Sequence, residues 1–116
     1  MSKPLSYNYT GTKGHIVSVA SSLPINPGSL LNNGWKEKTH PAQATNSNSR
    51  VFIEESTGLR IRFDGAEAGK SGFAAVDHYH IDNPNATGKK DRYLDADGNA
   101  VPKNSKKSHI LPIGGK

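Results

Sequence analysis

The chain contains no cysteine, so disulfide staples, cysteine-ligated zinc sites and thiol nucleophiles are excluded together. A fold without covalent help suits a reducing compartment. Apolar material is also scarce: 33% of residues are hydrophobic and 7% aromatic, with a single Trp and a single Met. That leaves no clustered aromatic platform of the kind that stacks nucleic-acid bases. No apolar run approaches the ~20 residues of a membrane-spanning helix. Met1-Ser2-Lys3-Pro4 lacks the apolar block of a secretory signal, so any export depends on something outside this sequence. The bare start at Met1 fits a domain excised from a longer chain. With 12 Gly and 7 Pro, the composition predicts a small core with much turn and loop, leaning towards strands rather than a helical bundle. At 116 residues there is room for one domain. Residues 1–13 are expected to form a poorly ordered N-terminal segment and 14–116 the folded unit.

Positive charge is present in excess, at a net +5. From Gly98 to Lys116 there are four lysines (Lys103, Lys106, Lys107, Lys116) and no acid, and Lys89, Lys90 and Arg92 lie just upstream. Such a stripe points to a polyanionic partner, of which nucleic acid is the commonest. A solvated tail and a docking face for an acidic protein are the competing readings.

The chain is organised around Asp77-His78-Tyr79-His80-Ile81-Asp82-Asn83-Pro84. The apolar lead-in Phe73–Val76 and the stop at Asn83-Pro84 predict a strand that ends in a turn. Strand side chains alternate, so His78 and His80 should share one face, with Tyr79 and Ile81 on the other. Upstream, Val51–Glu54 and Leu59–Asp64 flank a short Gly-containing turn and read as a hairpin. In its second run Leu59, Ile61 and Phe63 face one side while Arg60 and Arg62 face the other. His15–Ala20 alternates weakly and is expected to be a short strand. Ser29 is expected to be the N-cap of a short helix through Leu31, ended by Asn33-Gly34. Trp35 is expected in the core, Ala42–Ser49 in a polar loop, and Ser108–Pro112 as a closing edge strand. The architecture expected is α+β: one or two short N-terminal helices packed on a twisted antiparallel sheet of four or five strands.

Three apparent motifs dissolve on counting. Asp95-Ala96-Asp97-Gly98-Asn99 opens like a calcium loop, but the twelfth position, which needs a glutamate, is Lys106. A hairpin turn with Gly98 at positive φ accounts for it better. Gly69-Lys70-Ser71 lacks both the glycine spacing and the following helix of a phosphate loop. Ser108 beside His109 has no nucleophile elbow around it.

The histidines remain: His40 before a proline, the His78/His80 pair, and His109. Imidazoles near neutrality can both take and give a proton, which metal-free RNA cleavage needs at the ribose 2′-hydroxyl and the leaving 5′-oxygen. A cation must stabilise the phosphorane, for which Arg62 is the first choice, with Arg60, Lys89 and Lys90 beside it. A His-x-His pair with a third ligand from His109, His40, Asp77 or Asp82 would instead make a metal-dependent hydrolase.

As a set, Gly34-Trp35, Thr39-His40-Pro41, Arg60–Asp64, Asp77–His80 with Asn83-Pro84-Asn85, Tyr93–Asp95, Asp97–Asn99 and Lys106–Ile110 resemble the C-terminal nuclease toxin modules of bacterial polymorphic toxins and contact-dependent growth inhibition effectors. The similarity spans roughly residues 29–112. It implies an endoribonuclease attacking tRNA or rRNA of a competing bacterium, delivered as the C-terminal part of a secreted or cell-surface effector and acting in the target-cell cytoplasm. It also implies a cognate immunity protein, expected to be acidic, and a barnase/EndoU/colicin/RelE-type fold. The chain departs from that pattern in lacking an evident glutamate base. The combined expectation is transphosphorylation to a 2′,3′-cyclic phosphate without metal or other cofactor. His78, His80, His109, Arg62 and His40 would be catalytic, and Arg60, Lys89, Lys90, Lys106 and Lys107 would hold the RNA. The runners-up are a His-ligated metal-dependent nuclease and a non-catalytic basic binding module.

Overall fold

The computed structural model describes residues 9, 11–39 and 49–112. Most of the expected N-terminal tail, His40 and all but the last residue of the polar loop 42–49 lie outside the described residues.

Thr12 starts the first element. Its backbone is extended and its side chain accepts a hydrogen bond from His15 N, capping helix α1 (Lys13–Ala20). The expected strand at His15–Ala20 is therefore a helix. Ile16, Val19 and Ala20 are buried together while Val17 is exposed, a 3.6-residue spacing that strand alternation cannot produce. Tyr9 packs against the core and donates to Thr12 O, so the described end of the expected tail is structured. The second expected helix is a 3-10 segment, Pro27–Asn32, capped by Asn26 rather than Ser29. It ends as expected at Asn33-Gly34, where Gly34 has φ +88°.

Among the described residues the sheet has six strands, not four or five: β1 (Trp35–Glu37), β2 (Ser49–Glu54), β3 (Arg60–Asp64), β4 (His78–Asp82), β5 (Tyr93–Leu94) and β6 (Ala100–Val101). It is one open antiparallel sheet whose spatial order is the sequence order. The strands that raise the count are two or three residues long, too short for a period-2 pattern to register in sequence. The class is α+β.

Strand alternation divides the sheet into two unlike faces. Phe52, Leu59, Ile61, Phe63, Tyr79, Ile81 and Leu94 join Ile16, Val19, Leu23, Leu30 and Trp35 in the hydrophobic core, under α1 and the 3-10 segment. The Tyr79 hydroxyl, inside that core, donates to Pro24 O at 2.6 Å and ties the sheet to the helical layer. The other face carries Arg60, Arg62 and Asp64 from β3, facing His80 and His78 across the β3–β4 ladder.

Two further differences shape this second face. Phe73–Val76 does not extend β4; Gly72–Ala75 is a 3-10 turn. At the other end, Ser108–Pro112 makes no edge strand. Lys106–Ser108 forms a 3-10 turn, and Ile110 then makes a single antiparallel bridge to Tyr79, with 2.8 Å bonds in both directions. The bridge is possible because β5 pairs only with the Ile81–Asp82 end of β4 and leaves the Tyr79 backbone groups open. The Asp95–Asn99 segment is the β5–β6 turn. Asp95 Oδ1 accepts from the Asp97 and Asn99 amides, and Gly98 has φ +79°.

Candidate active site

The β3–β4 register sets Arg62 opposite His80 and Asp64 opposite His78. On that ladder Arg62 grips Asp64 through Nε and Nη2, both at 2.9 Å, and its Nη1 donates to the Tyr93 hydroxyl at 3.1 Å. Ser49 Oγ donates to the same carboxylate at 2.7 Å. The Nε2 atoms of His78 and His80 each stand 3.4 Å from Asp64 Oδ2, long for hydrogen bonds but close enough for charge to act. Asp64 is thus the anchor of the site.

The bridge at Ile110 brings His109 onto the same spot. The ring centroids of His78, His80 and His109 form a near-equilateral triangle with sides of 5.0, 4.9 and 4.7 Å. Phe73, from the 3-10 turn before β4, stacks on His109 at 4.2 Å. His78 and His80 form the floor and are 5% and 4% exposed, whereas His109 is partly open. Their burial comes from this surrounding cluster, since the core lies on the opposite face with Tyr79. The cleft above them has a volume of about 440 Å³ and is also lined by Glu67, Tyr93, Lys103 and Asn104.

Backbone carbonyls fix two of the three tautomers. His78 Nδ1 lies 2.9 Å from Val76 O and His109 Nδ1 lies 3.2 Å from Lys106 O. A carbonyl only accepts, so both Nδ1 atoms carry a proton. His80 Nδ1 is buried with no hydrogen-bond partner.

The environment pushes the two floor histidines apart. Burial by itself would lower His78, but the Asp64 carboxylate and the Val76 carbonyl outweigh it and raise its pKa above 6.5. For His80 burial prevails, aided by the charges of Arg62 and His109 against the pull of Asp64, and the pKa falls below 6.5. Burial would raise Asp64, yet His78, His80 and Arg62 together hold it far below the usual carboxylate range. The two shifts run in opposite directions from the ordinary imidazole value, so of the pair His78 is the better placed to hold a proton and His80 to accept one.

Of the residues singled out from sequence, His78, His80, His109 and Arg62 meet in this cleft. His40 lies outside the described residues. Arg60 shares the β3 face but does not line the cleft. Lys89 and Lys90 line an adjoining cavity of about 320 Å³ with Pro102, and this cavity shares Lys103 and Asn104 with the first. Lys106 and Lys107 are exposed and line neither. Asp64, Tyr93, Lys103, Phe73 and Glu67 were not read from sequence as part of the site. Asp64 had a usable signal, being two residues beyond Arg62 on one strand; Tyr93 and Lys103 are brought in by long-range pairing alone.

No family model, curated protein or solved structure matches this chain. Among the described residues no helix is long and apolar enough to cross a membrane.

Proposed function

We propose that this protein is an endoribonuclease domain that cleaves RNA by metal-independent transphosphorylation. The observation that carries the reading is the meeting of His78, His80 and His109 with Arg62 in one cleft. His80, neutral near pH 7, takes the proton of the ribose 2′-hydroxyl. His78, protonated, supplies one to the departing 5′-oxygen, and a 2′,3′-cyclic phosphate is left. His109, the imidazole open to the cleft, contacts the phosphate as it arrives. Arg62, held by Asp64 and Tyr93, is set in advance to stabilise the extra negative charge of the phosphorane. The Lys89/Lys90/Lys103 cavity continues from the cleft and suits the phosphates of a strand rather than of a lone nucleotide.

The resemblance to polymorphic-toxin modules extends the proposal to tRNA or rRNA of a competing bacterium, reached in the target-cell cytoplasm after delivery by a larger effector. It also supplies an acidic immunity protein that covers the cleft, and a place beside barnase/EndoU/colicin/RelE-type domains. The test is incubation with total RNA in excess EDTA. Discrete fragments ending in 2′,3′-cyclic phosphate are expected, with loss of about 10²–10⁴-fold in rate for His80→Ala. Cleavage that vanishes in EDTA and returns with magnesium or zinc overturns the metal-free mechanism. Full toxicity of His78→Ala would favour a binding module instead.

A further inference from the structure

We propose that His78, His80 and His109 also form a binding site for one divalent transition-metal cation of the zinc or cobalt class, and that its occupancy switches the cleavage off. The binding half stands on the geometry; the inhibitory half rests on the ribonuclease reading.

One ligand nitrogen from each ring falls within a set no more than 4.8 Å apart. A tetrahedral site with Zn–N bonds of about 2.0–2.1 Å has edges of about 3.4 Å, so the rings need only close inward by about 1 Å. Three imidazoles with no thiolate select zinc, cobalt, nickel or copper over magnesium or calcium, which prefer oxygen ligands. The orientation of two rings is already that of metal ligands: Val76 O and Lys106 O hold the Nδ1 protons of His78 and His109, leaving Nε2 as the donor atom of each. Backbone carbonyls play this role behind metal-bound histidines generally. His80 supplies an independent observation, a buried Nδ1 with no hydrogen-bond partner, which is an uncommitted lone pair in the tautomer whose Nε2–H faces Asp64. Asp64 Oδ2, 3.4 Å from both floor histidines, places a negative charge beside the ion. Arg62 opposes it, but its guanidinium is tied to Asp64 and Tyr93.

The two uses of the rings exclude one another. A nitrogen that coordinates a cation has no lone pair for the 2′-hydroxyl proton and no proton for the leaving oxygen. Occupancy removes acid and base together.

Cobalt(II) titrated into the chelator-treated protein should bind at one per chain, with visible d–d bands of a low-coordinate nitrogen site, and zinc should displace it. His109→Ala should weaken binding more than about tenfold, with a thermal melt confirming that the variant is folded. His78→Ala and His80→Ala provide the same readout should His109→Ala fail to fold. Zinc at saturating level should abolish cleavage, and EDTA should restore it. Absence of saturable one-to-one binding, or binding indifferent to all three substitutions, overturns the site while leaving the ribonuclease reading intact. Binding together with cleavage that requires the metal overturns both the inhibition and the metal-free mechanism, and leaves the site standing as a catalytic one.

Discussion

Asp64 is the residue on which most of the site's chemistry depends, since it restrains Arg62 and biases both floor histidines in their protonation. Asp64→Asn keeps the shape but removes the charge, leaving Arg62 and the His78 imidazolium without their counter-ion. The variant should lose about 2–3 kcal/mol of stability in urea denaturation, the order of a hydrogen bond to a charged group. Its His78 pKa, followed by NMR, should fall. The sign of the pH dependence follows from the same contacts. The depressed carboxyl of Asp64 contributes stability that is complete above the unfolded carboxylate pKa of about 4 and is lost as pH falls below it. His80, also depressed, contributes above about pH 6.5 and loses that contribution as pH falls through its folded pKa. His78, raised, contributes below about pH 6.5 and loses its contribution as pH rises. The proposed mechanism needs His80 free of its proton and His78 in possession of one. A bell-shaped rate profile whose plateau brackets roughly pH 6.5 is expected, and a profile rising steadily to about pH 9 would refute the assignment.

At the scale of elements, the described segment after β6, residues 102–112, has no regular structure beyond one 3-10 turn and yet positions His109. Its placement rests on the Tyr79–Ile110 bridge and on buried Ser108, whose hydroxyl donates to Ser105 O at 2.7 Å. Ile110→Pro removes the N–H that bonds to Tyr79 O. Cleavage should drop about 100-fold or more, while the far-UV dichroism of the sheet persists. Helix α1 gives the opposite case: Thr12→Ala deletes its cap on the far layer and should cost about 1 kcal/mol in thermal unfolding with cleavage unchanged. These two elements also mark where sequence reading stops. The β2–β3 hairpin was legible because Leu59, Ile61 and Phe63 alternate with Arg60 and Arg62 and Gly58 closes the turn. The sides taken by Tyr79 and by His78 and His80 were legible for the same reason. Helix α1 was not, because Ile16, Val17 and Val19 have strand propensity and only the Thr12 cap and packing against the sheet decide otherwise. The convergence of His109 with the pair was invisible, since it depends on a bridge between segments distant in sequence.

For the molecule as a whole, the division of the sheet into an apolar face and a polar face explains how so small a core can coexist with a buried histidine cluster. The core needs only one face. The other is free to hold charge, and the adjoining lysine cavity extends it. Neutralising Lys89 and Lys103 together should flatten the dependence of log affinity on log salt for an RNA oligonucleotide, by about one unit of slope for each phosphate no longer neutralised. Neutralising Lys106 and Lys107, which line neither cavity, should change it less; the reverse ranking would relocate the strand to the C-terminal turn.

Strand order that repeats sequence order has a kinetic consequence. Each strand pairs with the one made just before it, so the sheet can grow by successive hairpins, each closing a modest loop. His109 is different, because its position waits for the whole stretch between β4 and Ile110 to be laid down. On refolding, the spectroscopic signal of the sheet should therefore recover before cleavage does, and the lag between them would time the arrival of the third imidazole.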